Sequence, residues 1–350
     1  MSSMKLVRTG AVDRIEVVEV ERPVPGPADA LVRIRACGIC GTDATFLHMG
    51  GTPIDAAGNP LGDGRLRSLP LGHEPAGEVV EVGAEVTDLK VGDHVVVNPQ
   101  GAPSGIIGCG GALGGMSEYL LIQDAVAGKS VAVLPDSVPF GVAALNEPMA
   151  VSRHCVNRSE AGPGDKVIVF GAGPIGLGAV IWLKLRGVQH VAVADVIASR
   201  LETALAVGAD AVIDSSREDV PARLLELHGT GRNALGQPRP GTDIYIDAAG
   251  AAVVVNTALR TGKWGAKLVM VAVHSKPAPI DIGAMLRSEM TIVASQGYPT
   301  EIFEVTPEIA EHAERFAKLI SHRIPFDTVE RAFELTLTPG AAEKVVVTFD

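Results

Sequence analysis

The chain has 350 residues, 47% of them apolar and 20% charged, enough to fill more than one ordinary core. Its 30 basic residues face 41 acidic ones, a net charge of -11, with no Lys/Arg cluster and only 4% aromatic residues, which excludes nucleic acid and anionic membranes as expected partners. No run of about 18 apolar residues is present, and the opening MSSMKLVRTGAVDRIEVVEV turns charged and strand-like too early for a signal peptide, so a soluble, cytoplasmic, globular protein is expected.

Through about residue 150, short β-branched runs alternate with glycine and proline: DRIEVVEV, ALVRIRAC, PAGEVVEVGAEV and GDHVVVNP. This pattern predicts an irregular all-β region. Within it, CGICGTD sets Cys37 and Cys40 in a CxxC spacing. The chain has four cysteines, at positions 37, 40, 109 and 155, too few for a disulfide framework. There is no second CxxC, so a zinc ribbon is not expected. A thioredoxin-type pair needs a strand-to-helix turn of a βαβ unit, which a β-rich region does not offer. The stretch LGHEPAGE adds His73 and Glu74. A thiolate, an imidazole and a carboxylate suit zinc, and three protein ligands with an open position form the catalytic arrangement. Taken singly, each residue has an ordinary reading: Cys40 as a small buried side chain, His73 as a core histidine, Glu74 as a surface acid.

From Asp165 the rhythm changes to strand, helix, strand: KVIVFGAG, a helix through Lys184, HVAVAD, a helix through Ala206, AVID, then DIYIDAAG, AAVVVNTALRT, KLVMVAV and MTIVAS. Six such strands make a doubly wound parallel sheet, an α/β fold. After Tyr298 a polar helix over 307–321 and a closing strand, EKVVVTFD, are expected, returning to the first domain because the sheet is full.

Gly171-Ala172-Gly173-Pro174-Ile175-Gly176 follows the strand VIVF and opens a helix. Gly171 permits the tight turn, Gly173 lets a pyrophosphate approach the backbone, and Gly176 lets helix pack on strand. The helix N-terminus adds free N–H groups. Asp195, about 20 residues further on, ends the next strand, where a carboxylate binds ribose hydroxyls and repels a 2'-phosphate. NAD is therefore expected over NADP.

At this point the residues resemble a family. CGICGTD, LPLGHEPAGEVVEVG, KVGDHVVV, ALNEPMAV followed by His154, GAGPIGLGAV, VADVIASRLETALAVGAD and AAEKVVV occur in the order found in zinc-dependent medium-chain alcohol dehydrogenases, most like the sorbitol, threonine and butanediol dehydrogenase branch. The resemblance implies a GroES-like β-rich catalytic domain over 1–156, completed by 297–350, and a Rossmann NAD-binding domain over 157–296, with the active site in the cleft. It implies one catalytic zinc on Cys40 and His73, with Glu74 binding it directly or in an alternate state and Glu147 reaching it directly or through a water. By the same resemblance Asp43 hydrogen-bonds the other nitrogen of His73 and Thr42 holds the substrate oxygen and relays its proton. Ile175 then lies near the nicotinamide, and Asp195 and Arg200 near the adenosine ribose. The implied reaction is hydride transfer between NAD and a secondary alcohol, diol or polyol and its ketone, by a homodimer or homotetramer.

Three departures matter. NPQGAPSGIIGCGGALGGMSEYL holds Cys109 alone where relatives carry four cysteines, so no structural zinc is expected. Thr45 stands where the family often has a relay histidine, with His48 three residues later, and the long, glycine-rich stretch over 44–70 is expected to shape substrate entry. SQGYP lacks the arginine that sugar-alcohol dehydrogenases tend to place beside the tyrosine matching Tyr298, so a secondary alcohol or vicinal diol is expected as readily as a long polyol. Two other readings stay open. A zinc-free quinone or enone reductase on this fold would leave Cys40, His73 and Glu147 without purpose. A non-catalytic nucleotide-sensing protein would not need the complete ligand set.

Overall fold

A computed structural model describes residues 2–55, 58–62 and 64–350. The chain divides into two compact units, one formed by residues up to Glu147 with Ile302–Asp350, the other by Pro148–Glu301.

The first unit is built on β-branched strands. β1 (Ser3–Thr9) and β2 (Ile15–Glu21) form an antiparallel pair, and β3 (Ala30–Gly38) leads into helix α1 (Gly41–Met49). There follow β4 (Glu74–Val82), β5 (His94–Val97), β6 (Tyr119–Ile122), β7 (Val131–Leu134), α2 (Phe140–Ala143) and the start of α3 (Asn146–Ser159). β3 is the hub: it pairs antiparallel with β4 and with β6, and its residues Ala30–Val32, Ile34 and Ala36–Cys37 are fully buried. Helix α1 was not expected in a β region. The Cys40 N–H donates to Asp43 Oδ2 at 2.9 Å, which caps its start, and Gly50, at φ 73°, closes its end.

The rest of the 44–70 stretch is irregular, held by isolated bridges between Thr52 and Arg67 and between Ile54 and Pro60; Ala56, Ala57 and Asp63 lie outside the described residues. In the tail, the expected helix over 307–321 is two helices, α9 (Glu301–Glu311) and α10 (Ala313–Ala317). Pro307 sits inside α9, and the chain leaves helical geometry at His312, with φ -113° and ψ 30°. Next come β16 (His322–Pro325), an unexpected α11 (Val329–Leu337) and β17 (Val345–Thr348). In VERAFELTL the buried residues are Val329, Ala332, Phe333 and Leu335, the apolar stripe of a surface helix. β17 pairs antiparallel with β3, so the tail completes the first unit's sheet, ordered β16-β17-β3-β4-β5-β7.

The second unit alternates strictly: β8 (Lys166–Phe170), α4 (Pro174–Leu185), β9 (His190–Asp195), α5 (Ala198–Ala206), β10 (Ala211–Asp214) and α6 (Val220–His228). A short antiparallel hairpin, β11 (Thr230–Arg232) and β12 (Pro238–Pro240), interrupts it before β13 (Ile244–Asp247), α7 (Ala252–Thr261), β14 (Lys267–Met270), α8 (Ile282–Ser288) and β15 (Thr291–Ala294). The parallel sheet has the order β10-β9-β8-β13-β14-β15. The order reverses between β8 and β13, which opens a ligand crevice at the carboxyl ends of the strands. Every residue of α4 from Gly176 to Leu183 is buried, the signature of a central helix. Among the described residues, no helix is long and apolar enough to cross a membrane.

Candidate metal centre and dinucleotide cradle

The end of β3, the start of β4 and the start of α1 meet in the first unit. Cys40 ends the turn after β3, while His73 and Glu74 open β4, whose register sets Glu74 opposite Gly38. One ligand atom from each of Cys40, His73 and Glu74 falls within 4.8 Å of the others. Glycine at 38 is required for this: a Cβ there would lie 1.8 Å from Glu74 Oε2. Thr42 stands at the first turn of α1, and the Cys40 thiol donates to its Oγ1 at 3.7 Å.

Asp43 is fully buried beside His73, but its role differs from the expected hydrogen bond. Its Oδ1 is 3.9 Å from His73 Nδ1, too long for one, and instead accepts from Gly72 N at 3.2 Å while Oδ2 takes Cys40 N. The carboxylate thus ties together the two backbone segments that carry the cysteine and the histidine. His73 Nδ1 and Glu74 Oε1 are buried without a hydrogen-bond partner among the described residues. Buried polar groups seldom stay unpaired, and this Cys–His–Glu donor set matches zinc, so the residues fit the ion. Glu147, buried at the start of α3, is not among the three converging ligands, yet its charge reaches both His73 and Lys344.

The electrostatics describe an anionic pocket. Burial pushes the His73 imidazole toward neutrality, but Cys40, Asp43 and Glu147 together hold its pKa well above the ordinary value. Burial raises the Asp43 carboxyl, against the pull of His73. The remaining thiols are chemically quiet: burial pushes Cys37 well up, Cys155 up to about 12, and Cys109 up as well. All four cysteines are free.

Sequence reasoning missed Lys344. It is 2% exposed, ion-paired to Glu74 Oε2, and donates to Ile39 O at 2.9 Å. Burial alone would depress it, and the charges of Glu74, Cys40 and Glu147 raise it instead, so it remains a cation behind the metal ligands. The signal available was slight, a lysine bordering the apolar run VVV. Thr45 spends its hydroxyl on Gly41 O at 3.1 Å, and His48 is exposed and paired with Asp13.

In the second unit Gly171 (φ 92°) ends β8 and Gly173 caps α4, whose first helical residue is Pro174. A Cβ at Gly176 would lie 1.8 Å from Gly171 O, whereas one at Gly173 would meet nothing within 4 Å. The turn is closed where helix meets strand and open where a phosphate approaches. Asp195 accepts from Ala172 N at 2.6 Å and from Val196 N and Ile197 N at 2.7 and 2.9 Å, tying the β8 turn to the end of β9. Ile175 and Arg200 are half-buried on α4 and α5.

A soft-ligand metal trio in one unit and a dinucleotide cradle in the other are the equipment of a metal-dependent oxidoreductase. Family models agree: residues 26–136 match the alcohol dehydrogenase GroES-like domain and 174–313 the zinc-binding dehydrogenase. (R,R)-butanediol dehydrogenase of Bacillus subtilis is 31% identical over 98% of this chain and 99% of its own. The solved structure of 2R,3R-butanediol dehydrogenase from Bacillus subtilis is 30% identical, with a TM-score of 0.85 over 99% of each chain. A zinc-binding dehydrogenase of Sinorhizobium meliloti 1021, solved bound to NADP, is 30% identical with a TM-score of 0.83 over 99% of this chain and 100% of that one. The chain belongs to the zinc-dependent medium-chain alcohol dehydrogenase family. It is an oxidoreductase of zinc and NAD(H) that moves a hydride between an alcohol and its ketone.

Proposed function

We propose that the chain interconverts a secondary alcohol or vicinal diol and its ketone, with NAD as hydride acceptor. The convergence of Cys40, His73 and Glu74 within 4.8 Å carries this reading. These three residues hold the zinc, and Glu147 reaches it directly or through a water. Bound zinc supplies Lewis acidity, which makes a hydroxyl proton labile near neutral pH. Thr42 holds the substrate oxygen and passes that proton outward. Asp43 keeps the Cys40 and His73 segments in register through its two backbone hydrogen bonds. Lys344 holds Glu74 in place as its buried counter-ion. The Gly171–Gly176 turn binds the diphosphate, Asp195 and Arg200 the adenosine ribose, and Ile175 flanks the nicotinamide. The first unit is then the catalytic domain and the second the NAD-binding domain.

The similarity to butanediol dehydrogenases supports a vicinal diol, and the absence of an arginine beside Tyr298 supports a short substrate over a long polyol. The family resemblance supports a homodimer or homotetramer, and the charged, strand-like opening MSSMKLVRTGAVDRIEVVEV supports a cytoplasmic address. Zinc content and NADH formation from 2,3-butanediol test the reading in wild type and Cys40→Ala. Wild type is expected to carry zinc and the variant to lose both metal and activity. Zinc-free wild type, or unchanged turnover in the variant, refutes it.

A further inference from the structure

The dinucleotide cradle described above accounts for only half of a dinucleotide. In a doubly wound sheet the two nucleotide halves lie on either side of the strand-order reversal, here between β8 and β13. Asp195 places the adenosine half on the β9 side, which leaves the carboxyl ends of β13, β14 and β15 for the nicotinamide riboside. A cavity of about 630 Å³ opens there, lined among others by Met270, Ala272, His274, Pro277, Ser295 and Gln296. That size suits part of a cofactor.

His274 is the one imidazole in the lining. Its Nε2 lies 2.7 Å from Oδ2 of Asp247, a fully buried carboxylate at the end of β13. The other Asp247 oxygen is taken by Ala249 N at 3.0 Å and Gly250 N at 2.9 Å, so the carboxylate is held on three sides. A carboxylate only accepts, so Nε2 of the neutral ring carries the hydrogen and Nδ1 is left as an acceptor. Nδ1 has no hydrogen-bond partner among the described residues, and the side chain stays 15% exposed. An oriented imidazole with a spare acceptor at a cofactor-sized cavity calls for a ligand that donates a hydrogen bond.

We propose that His274, its tautomer set by Asp247, accepts a hydrogen bond at Nδ1 from the nicotinamide riboside half of NAD. The donor is a ribose hydroxyl or the carboxamide NH₂ group. This rests on the reading of the second unit as the NAD site.

Dissociation constants of ADP, ADP-ribose and NADH, measured by calorimetry for wild type, His274→Ala and His274→Asn, test it. NADH binding by His274→Ala is expected to weaken roughly tenfold, the worth of one hydrogen bond, with ADP binding unchanged. His274→Asn, which keeps an acceptor near the Nδ1 position, is expected to recover part of the loss. If ADP-ribose weakens with NADH, the donor is a ribose hydroxyl; if NADH alone weakens, it is the carboxamide. Unchanged NADH binding in His274→Ala overturns the role of His274 while leaving the NAD site standing, as does an equal loss of ADP affinity. Failure of wild type to bind either ADP or NADH overturns both readings.

Discussion

Replacing Lys344 by methionine keeps an unbranched chain of similar length but strips the cation from beneath the candidate metal centre. Lys344 and Glu74 are 2% and 1% exposed, so the Glu74 carboxylate has no water to turn to. Removing one member of a buried pair costs about 3–5 kcal/mol, because the surviving charge stays buried without a partner. At about 2–4 °C per kcal/mol for a unit of this size, the transition of the first unit should fall by about 6–20 °C. Scanning calorimetry on chelator-treated protein is the suitable assay, since both tryptophans, Trp182 and Trp264, lie in the second unit and report on the wrong half. Lys344→Met/Glu74→Gln removes both charges and should regain much of the loss, giving a large coupling between the two sites. A single variant within about 1 kcal/mol of wild type, or a double variant no more stable than Lys344→Met, would show that the pair is not what holds this corner together.

Two further outcomes follow from the second unit. His228 is 1% exposed, and burial, with the neighbouring His190 and Lys166, lowers its pKa to about 4 from 6.5. The unfolded chain binds this proton more readily, so stability is retained above about pH 6.5 and falls by up to about 3 kcal/mol as pH drops to 4. Urea midpoints read by tryptophan fluorescence across that window should slope in wild type and flatten in His228→Asn; parallel curves would count against the argument. Asp195→Gly should raise the Michaelis constant for NAD roughly 10–100-fold, the worth of a charge-assisted ribose contact, with zinc content intact because the ligand trio lies in the other unit. Equal NAD affinity in that variant would remove the ribose role.

The alternation of the second unit was legible because each strand is a short apolar run and each crossover a helix of ordinary length. The glycine turn was legible because its neighbours supply the strand and the helix it requires. Cys40, His73 and Glu74 could be read as a group by ligand chemistry alone. Lys344 could not, because its partner lies at the far end of the chain and only the pairing of β17 with β3, opposite β4, brings them together. Helix α1 was missed because it is short, sits among β-strands, and its capping residue Asp43 reads first as the partner of His73. The same residue shows how a correct neighbourhood can carry a different contact: Asp43 lies beside His73, but backbone N–H groups take its oxygens. Pro307 pointed to a helix start and stands instead in the interior of α9.

The closure of β3 by β17 ties metal chemistry to the order in which the chain is made. Cys40, His73, Glu74 and Glu147 leave the ribosome long before Val345–Thr348, and the second unit is synthesised between them. Until β17 arrives, β3 lacks its partner at Ala36–Gly38, beyond the stretch that β6 covers, and the carboxylate of Glu74 lacks Lys344. A nascent chain therefore carries Glu74 without its counter-ion beside a partly open strand, and the metal pocket is finished only after the whole second unit has been made.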